Sequence, residues 1–173
     1  DRYTEGYGIS DLGIKYCKDN NFSLLITLDC GIKANDKIDY AQEIGIDVII
    51  CDHHLEGDTL PNAVAILDPK RKGCLYPYKE LSGCGVGFKF IQGYCQKFEL
   101  PDQLWLSKID LVAISIAPDI VAITGENRIL AYYGLIIINR FPRMGIKSII
   151  EQAKIKIQYP PSKDTIFNRQ ISI

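Results

Sequence analysis

The stretch Asp47-Val48-Ile49-Ile50-Cys51-Asp52-His53-His54 decides how the rest of the chain is read. Its first half is a compact apolar run containing β-branched residues, which predicts a buried strand over Asp47–Cys51. Its second half places a carboxylate and two imidazoles where that strand ends. Such groups are costly to bring together at the exit of a buried strand unless they bind something. Carboxylates and neutral imidazoles are ligands for divalent metals such as Mn²⁺ and Zn²⁺. The triplet therefore points to metal-assisted phosphoester chemistry. A single histidine is more often a satisfied structural residue, but two in a row behind an aspartate favour a site. Successive side chains point in different directions, so one histidine is expected to ligate while the other faces substrate.

Upstream of this stretch, Ser23 to Leu28 is a second apolar run, ending at Asp29-Cys30-Gly31. Residues 34–44 lie between the two runs and read as a helix, with Ile38, Ala41 and Ile44 on one face and Gly45 placed to end it. Strand, helix, strand at this spacing is a βαβ unit with a parallel sheet. A short helix is expected over residues 8–19, broken by Asn20-Asn21, and a third strand over Ala63–Leu67, closed by Asp68-Pro69. Beyond it the pattern is helical, over 84–98, 102–116, 126–139 and 145–154, with Pro101, Pro118, Gly125 and Pro142 as punctuation. The fold class is α/β: a parallel β-sheet flanked by helices, with a helical C-terminal half.

Ligands of open parallel sheets gather beyond the carboxyl ends of the strands. Asp29 follows the first strand and Asp52-His53-His54 the second, so both fall on one edge. If the strands are neighbours, Asp29 and His53 can share a metal. The plainer reading of Asp29 is an Asx turn, and of Asp52 a turn cap. Asp119 lies between two apolar runs, where either a metal or a helix N-cap would account for it. Ser82-Gly83-Cys84-Gly85-Val86-Gly87 opens a helix and could present N–H groups to a phosphate. Tight helix packing explains those glycines equally well.

Composition narrows the field without choosing within it. The chain has 173 residues, 47% apolar and 24% charged, with a net charge of −1. That suits a globular domain with a real core and gives no support for a basic nucleic-acid-binding body. A nuclease would need a local basic groove. The one candidate is Lys70-Arg71-Lys72, for which a solvated loop is the commoner reading. The six cysteines form no C-x-x-C pair and read as free thiols in a reducing cytoplasm. No apolar stretch is long enough to span a membrane, since the longest, Ile129 to Ile138, is short and broken by Tyr132, Tyr133 and Gly134. Opening on Asp1 and closing on Asn168 to Ile173, the chain reads as part of a longer protein. Residues 1–155 form the expected domain, and 156–173 the start of a linker to a further one.

With these residues in place, the sequence resembles the DHH phosphoesterases, and within them the RecJ single-strand-specific exonucleases. The resemblance rests on Arg2 to Gly8, Thr27 to Gly31, the Asp52-His53-His54 triplet, Asp68-Pro69, Tyr76-Pro77, Leu81 to Val86, Asp110 to Ala113, Thr124 to Arg128 and Gly134-Leu135. These matches occur in family order from residue 2 to about residue 150. The resemblance implies metal-dependent 5′→3′ degradation of single-stranded DNA by two-metal hydrolysis with Mn²⁺ or Mg²⁺, in DNA repair and recombination. It implies Asp29, His53 and Asp119 as metal ligands, His54 facing the scissile phosphate, and Asp52 holding the histidine loop. Gly83, Gly85 and Arg2 are expected to bind substrate. Single-stranded DNA is the implied partner, with a single-strand-binding protein and a helicase beside it.

The aspartate-rich first motif of the family is expected before residue 1, and its second domain beyond residue 173. On that reading the chain by itself is expected to have little nuclease activity, and to self-associate along an uncovered strand edge. Two other functions compete. One is a small-substrate phosphoesterase of the same superfamily: an oligoribonuclease, cyclic-dinucleotide phosphodiesterase or pyrophosphatase. The other is a non-catalytic DNA-binding scaffold.

Overall fold

The computed structural model describes residues 2–155. It divides into two compact units, residues 1–90 and 91–173. The expected linker at 156–173 lies outside the described residues.

The first unit is built on three parallel strands, β1 (Leu24–Leu28), β2 (Asp47–Cys51) and β3 (Ala65–Leu67), in the order β1-β2-β3. Helix α1 (Arg2–Glu5) and helix α2 (Asp11–Asp19) precede β1, and α3 (Asn35–Glu43) crosses from β1 to β2. Val48 and Ile50 of β2 face Ile14 and Cys17 of α2 and Ile38 and Ala41 of α3, and this is the core. Both helices stop as the sequence predicts, for a geometric reason. Gly45, at φ +80°, follows α3, with Gly45 N–H on Gln42 O and Ile46 N–H on Ala41 O. Asn21, at φ +56°, does the same for α2, with Phe22 N–H returning to Cys17 O. Each is a Schellman closure, which needs a left-handed residue that Gly or Asn supplies most readily.

The register pairs Leu28 with Cys51 and Cys51 with Leu67, so all three strands end level. The loops that follow therefore meet on one edge. β3 is shorter than the predicted 63–67. Val64 N–H still reaches Val48 O, but the ladder begins only at Ala65.

Helix α4 (Gly83–Lys97) starts against the end of β1: a Cβ on Gly87 would lie 2.7 Å from Leu28 Cδ2. The boundary between the two units falls within α4. The second unit contains α5 (Gln103–Leu106), α6 (Ile109–Ile116), α7 (Gly125–Arg140) and α8 (Met144–Gln152). Here the structure corrects one expectation, because the predicted helix 102–116 is broken into α5 and α6. The carbonyl of Ser107 is taken by the Arg143 guanidinium, whose Nε also bonds Asp110 Oδ2 at 2.6 Å. Leu111 N–H turns to Lys108 O instead of continuing an unbroken helix. No helix among the described residues is long and apolar enough to cross a membrane. All six cysteines are free.

Candidate metal centre

The level strand ends place Asp29 directly after β1 and Asp52-His53-His54 directly after β2. Asp29 N–H bonds Cys51 O at 2.9 Å, and Asp52 N–H bonds Leu67 O at 3.0 Å. The three exits are thus stitched together by backbone bonds before any side chain is considered. Asp29 adopts a left-handed conformation, φ +65°. Outside glycine this is strained, and Asp is among the residues that tolerate it best. The kink turns the chain at the strand exit, with Asp29 Oδ1 3.1 Å from His53 Nε2.

His53 is buried, and its Nδ1 lies 3.1 Å from Leu81 O. A neutral imidazole has one N–H. The carbonyl can only accept, so it claims that proton and leaves the Nε2 lone pair directed at a carboxylate oxygen. Two acceptor atoms this close call for a cation between them, either a proton shared by the pair or a metal ion. His54 repeats the pattern. Its Nδ1 lies 2.7 Å from Asp52 Oδ1, which assigns the N–H to that side and leaves Nε2 available. The two rings are edge-on, with centroids 4.6 Å apart. Asp29, His53 and His54 each offer one ligand atom, and these lie within 4.8 Å of one another. One oxygen and two nitrogens form a donor set that suits a divalent transition metal.

Asp52 sits behind both histidines with 1% of its surface exposed. Its Oδ2 accepts from Ile32 N–H at 2.9 Å, and its Oδ1 accepts from His53 N–H at 2.7 Å and His54 N–H at 3.2 Å. Burial pushes its carboxyl upward, but the hydrogen bonds from Ile32, His54 and His53 together outweigh burial and hold it below the usual range. Backbone and ring donors thus fix the orientation of the whole histidine loop.

Gly83 is placed by packing against the site. A Cβ there would lie 2.1 Å from Asp29 Oδ1 and 2.5 Å from Asp29 Cβ. The carboxylate occupies the space that only glycine leaves. Its charge is also favoured at the N-terminus of α4. Gly85 N–H is taken up by Ser82 Oγ at 3.1 Å, and a Cβ on Gly85 would meet Ser82 and Leu81. Asp119 lies in the second unit, in the turn after α6, with its N–H on Ser115 O. It is not the N-cap of α7, a place held by Thr124. Arg2 lies in α1.

Three groups beside the site were not among the candidate site residues read from the sequence. The Leu81 carbonyl and the Ile32 N–H act through the backbone, which side-chain identity does not reveal. Asp68, at the end of β3, was visible only as part of an Asp-Pro turn. It is 3% exposed, and its Oδ1 accepts from Lys70 N–H at 2.8 Å. Burial raises its carboxyl, and the charge of Asp52 adds to that rise.

Residues 4–116 match the DHH family, N-terminal domain. The chain belongs to this family. It is 44% identical over 151 residues to the single-stranded-DNA-specific exonuclease RecJ of Bacillus subtilis (strain 168), covering 87% of this chain and 18% of that protein. Against the RecJ of Escherichia coli (strain K12) it is 35% identical over 178 residues, covering 96% and 30%. Among solved structures it resembles exonuclease RecJ bound to manganese, with a TM-score of 0.75 and 26% identity over 96% of this chain and 41% of that one. RecJ from Thermus thermophilus, in complex with Mn²⁺, shares the fold at 24% identity and TM-score 0.71, covering 89% of this chain and 22% of that one. The chain therefore spans less than half the length of each of these relatives.

Proposed function

We propose that this chain carries part of the catalytic centre of a metal-dependent phosphodiesterase, a RecJ-type 5′→3′ exonuclease acting on single-stranded DNA in repair and recombination. The observation that carries this reading is the Asp29 Oδ1–His53 Nε2 approach at 3.1 Å, with Leu81 O claiming the other ring nitrogen. The similar exonuclease structure is bound to manganese, which supports the choice of ion, and imidazole donors favour Mn²⁺ over Mg²⁺. Asp29 and His53 would hold the ion, with Asp119 as a further ligand on the strength of the resemblance. When bound, such an ion lowers the pKa of water and offsets charge on phosphoryl oxygens.

The residues of the chain have separate tasks. Leu81 O and Asp52 fix the proton on Nδ1 of His53 and His54, so that both Nε2 lone pairs stay available. Ile32 N–H holds Asp52 ionised in place. Gly83 gives room to the Asp29 carboxylate. His54, with its side chain 58% exposed, is the ring open to a scissile phosphate. Among the described residues the edge of β1 away from β2 is unpaired, which fits self-association of the chain.

Calorimetric titration with Mn²⁺ tests the reading. The parent chain should bind the ion and His53→Ala should not, with unchanged far-ultraviolet circular dichroism. Equal binding by both would remove His53 from the centre and the reading with it.

A further inference from the structure

The candidate centre is rich in negative charge, with Asp29, Asp52 and Asp68 gathered at one sheet edge. A phosphodiester strand is also an anion, and the chain as a whole carries a net charge of −1. A bound ion would offset this charge at the centre itself, but phosphates flanking it need further cations. The first unit supplies cations around the loop that follows His54.

Lys33 follows β1 by five residues in the sequence and is exposed. Its Cγ lies 3.9 Å from where a Cβ on Gly57 would be, in the loop beyond His54. Lys70, Arg71 and Lys72 follow β3. Arg71 N–H closes the turn onto Asp68 O, and Lys72 N–H bonds Glu56 Oε2 at 3.1 Å, in the same loop beyond His54. The Lys72 side chain is 92% exposed, with Glu56 Oε1 at 3.8 Å from its ammonium. Among the described residues Lys33, Lys70 and Arg71 form no ion pair.

Arg71 is the informative member. Its Nε is shielded from solvent and, among the described residues, has no hydrogen-bond acceptor, while the side chain as a whole is only half-buried. A buried guanidinium donor without a partner is expensive. Guanidinium also matches phosphate oxygens better than any other side chain, through its planar fork of donors.

Resting on the function proposed above, we propose that the turn after β3 is the phosphate-gripping element of this domain. Arg71 is its anchor, and Lys70, Lys72 and Lys33 line the approach. Its ligand is the phosphodiester backbone of the single strand, at phosphates flanking the one at the metal centre. These residues position the strand and do not touch the reacting atoms.

The test is fluorescence anisotropy of a labelled oligothymidylate with phosphorothioate links, titrated with the parent chain in Mn²⁺ over a range of salt. Arg71→Ala should weaken binding about tenfold or more, the effect of losing one guanidinium–phosphate contact. Lys72→Ala, a change at a side chain too exposed to disturb folding, should weaken it less. Each variant should lower the slope of log affinity against log salt by about 0.7 per lost contact. Lys15→Ala, an equal charge change at an exposed position on α2, should bind like the parent. Mn²⁺ calorimetry on Arg71→Ala should match the parent, which separates this inference from that of the metal centre. Parent-like affinity and salt slope in both Arg71→Ala and Lys72→Ala would overturn the proposal. So would failure of the parent to bind the strand at low salt, even if His53→Ala abolishes Mn²⁺ binding.

Discussion

Asp52 shows how one side chain can organise a site without facing its ligand. Its two oxygens accept from Ile32, His53 and His54, and from the His54 ring. Asp52→Asn would turn one acceptor into a donor facing an N–H. The expected cost is about 1–3 kcal/mol of stability and about 10–100-fold in Mn²⁺ affinity, read by urea denaturation and calorimetry. The pH dependence has a definite sign. The carboxyl is held below its ordinary value of 3.8, so its contribution is in place above that pH and fades as pH falls through the lowered value. The stability gap between parent and variant should therefore be full near neutrality and close only in strong acid. The chemistry of Asp52, His53 and His54 was legible from residue types and position. The division of labour among them was not, because it depends on where Ile32 N–H and Leu81 O lie.

At the scale of elements, two glycines decide which helices can approach which neighbours. Gly83→Ala would put a methyl group on the Asp29 carboxylate, 2.1 Å from Oδ1. The aspartate can swing away, so the fold should persist while Mn²⁺ affinity falls; calorimetry beside circular dichroism checks both. Gly134→Ala is a different case. Its Cβ would meet Ala113 Cβ at 2.4 Å and Ile109 O at 2.5 Å, so α6 and α7 would have to separate. Overpacking of this kind costs about 1–3 kcal/mol, and a lowered melting temperature would show it. Element types and most boundaries were readable from periodicity and from closers such as Gly45 and Asn21. The break between α5 and α6 was not. It coincides with a long-range contact, because Arg143, 36 residues from Ser107 in sequence, takes the Ser107 carbonyl. No local pattern encodes that contact.

For the molecule as a whole, the consequential feature is the side of β1 away from β2. Among the described residues β1 pairs with β2 alone, leaving its other edge unpaired, and on one face of this edge strand Leu24, Ile26 and Leu28 are exposed by 47%, 40% and 55%. An apolar edge strand with free backbone groups is a template for pairing. Sedimentation should show a concentration-dependent increase in mass, and Ile26→Lys should suppress it. A monomer at every concentration would remove self-association from the account.

The sequence by itself determined that a parallel α/β domain forms here and that its chemistry gathers around Asp29 and Asp52-His53-His54. Apolar runs, turn closers and titratable groups at strand exits are local properties, and residue order expresses them directly. Only the tertiary structure decided that the strand ends lie level. It alone decided that the Leu81 carbonyl and Asp52 assign the protons of the two histidines, that Ile32 N–H holds Asp52, and that Gly83 is needed for room. Those outcomes depend on distances between segments far apart in the chain, which sheet register and helix packing determine together.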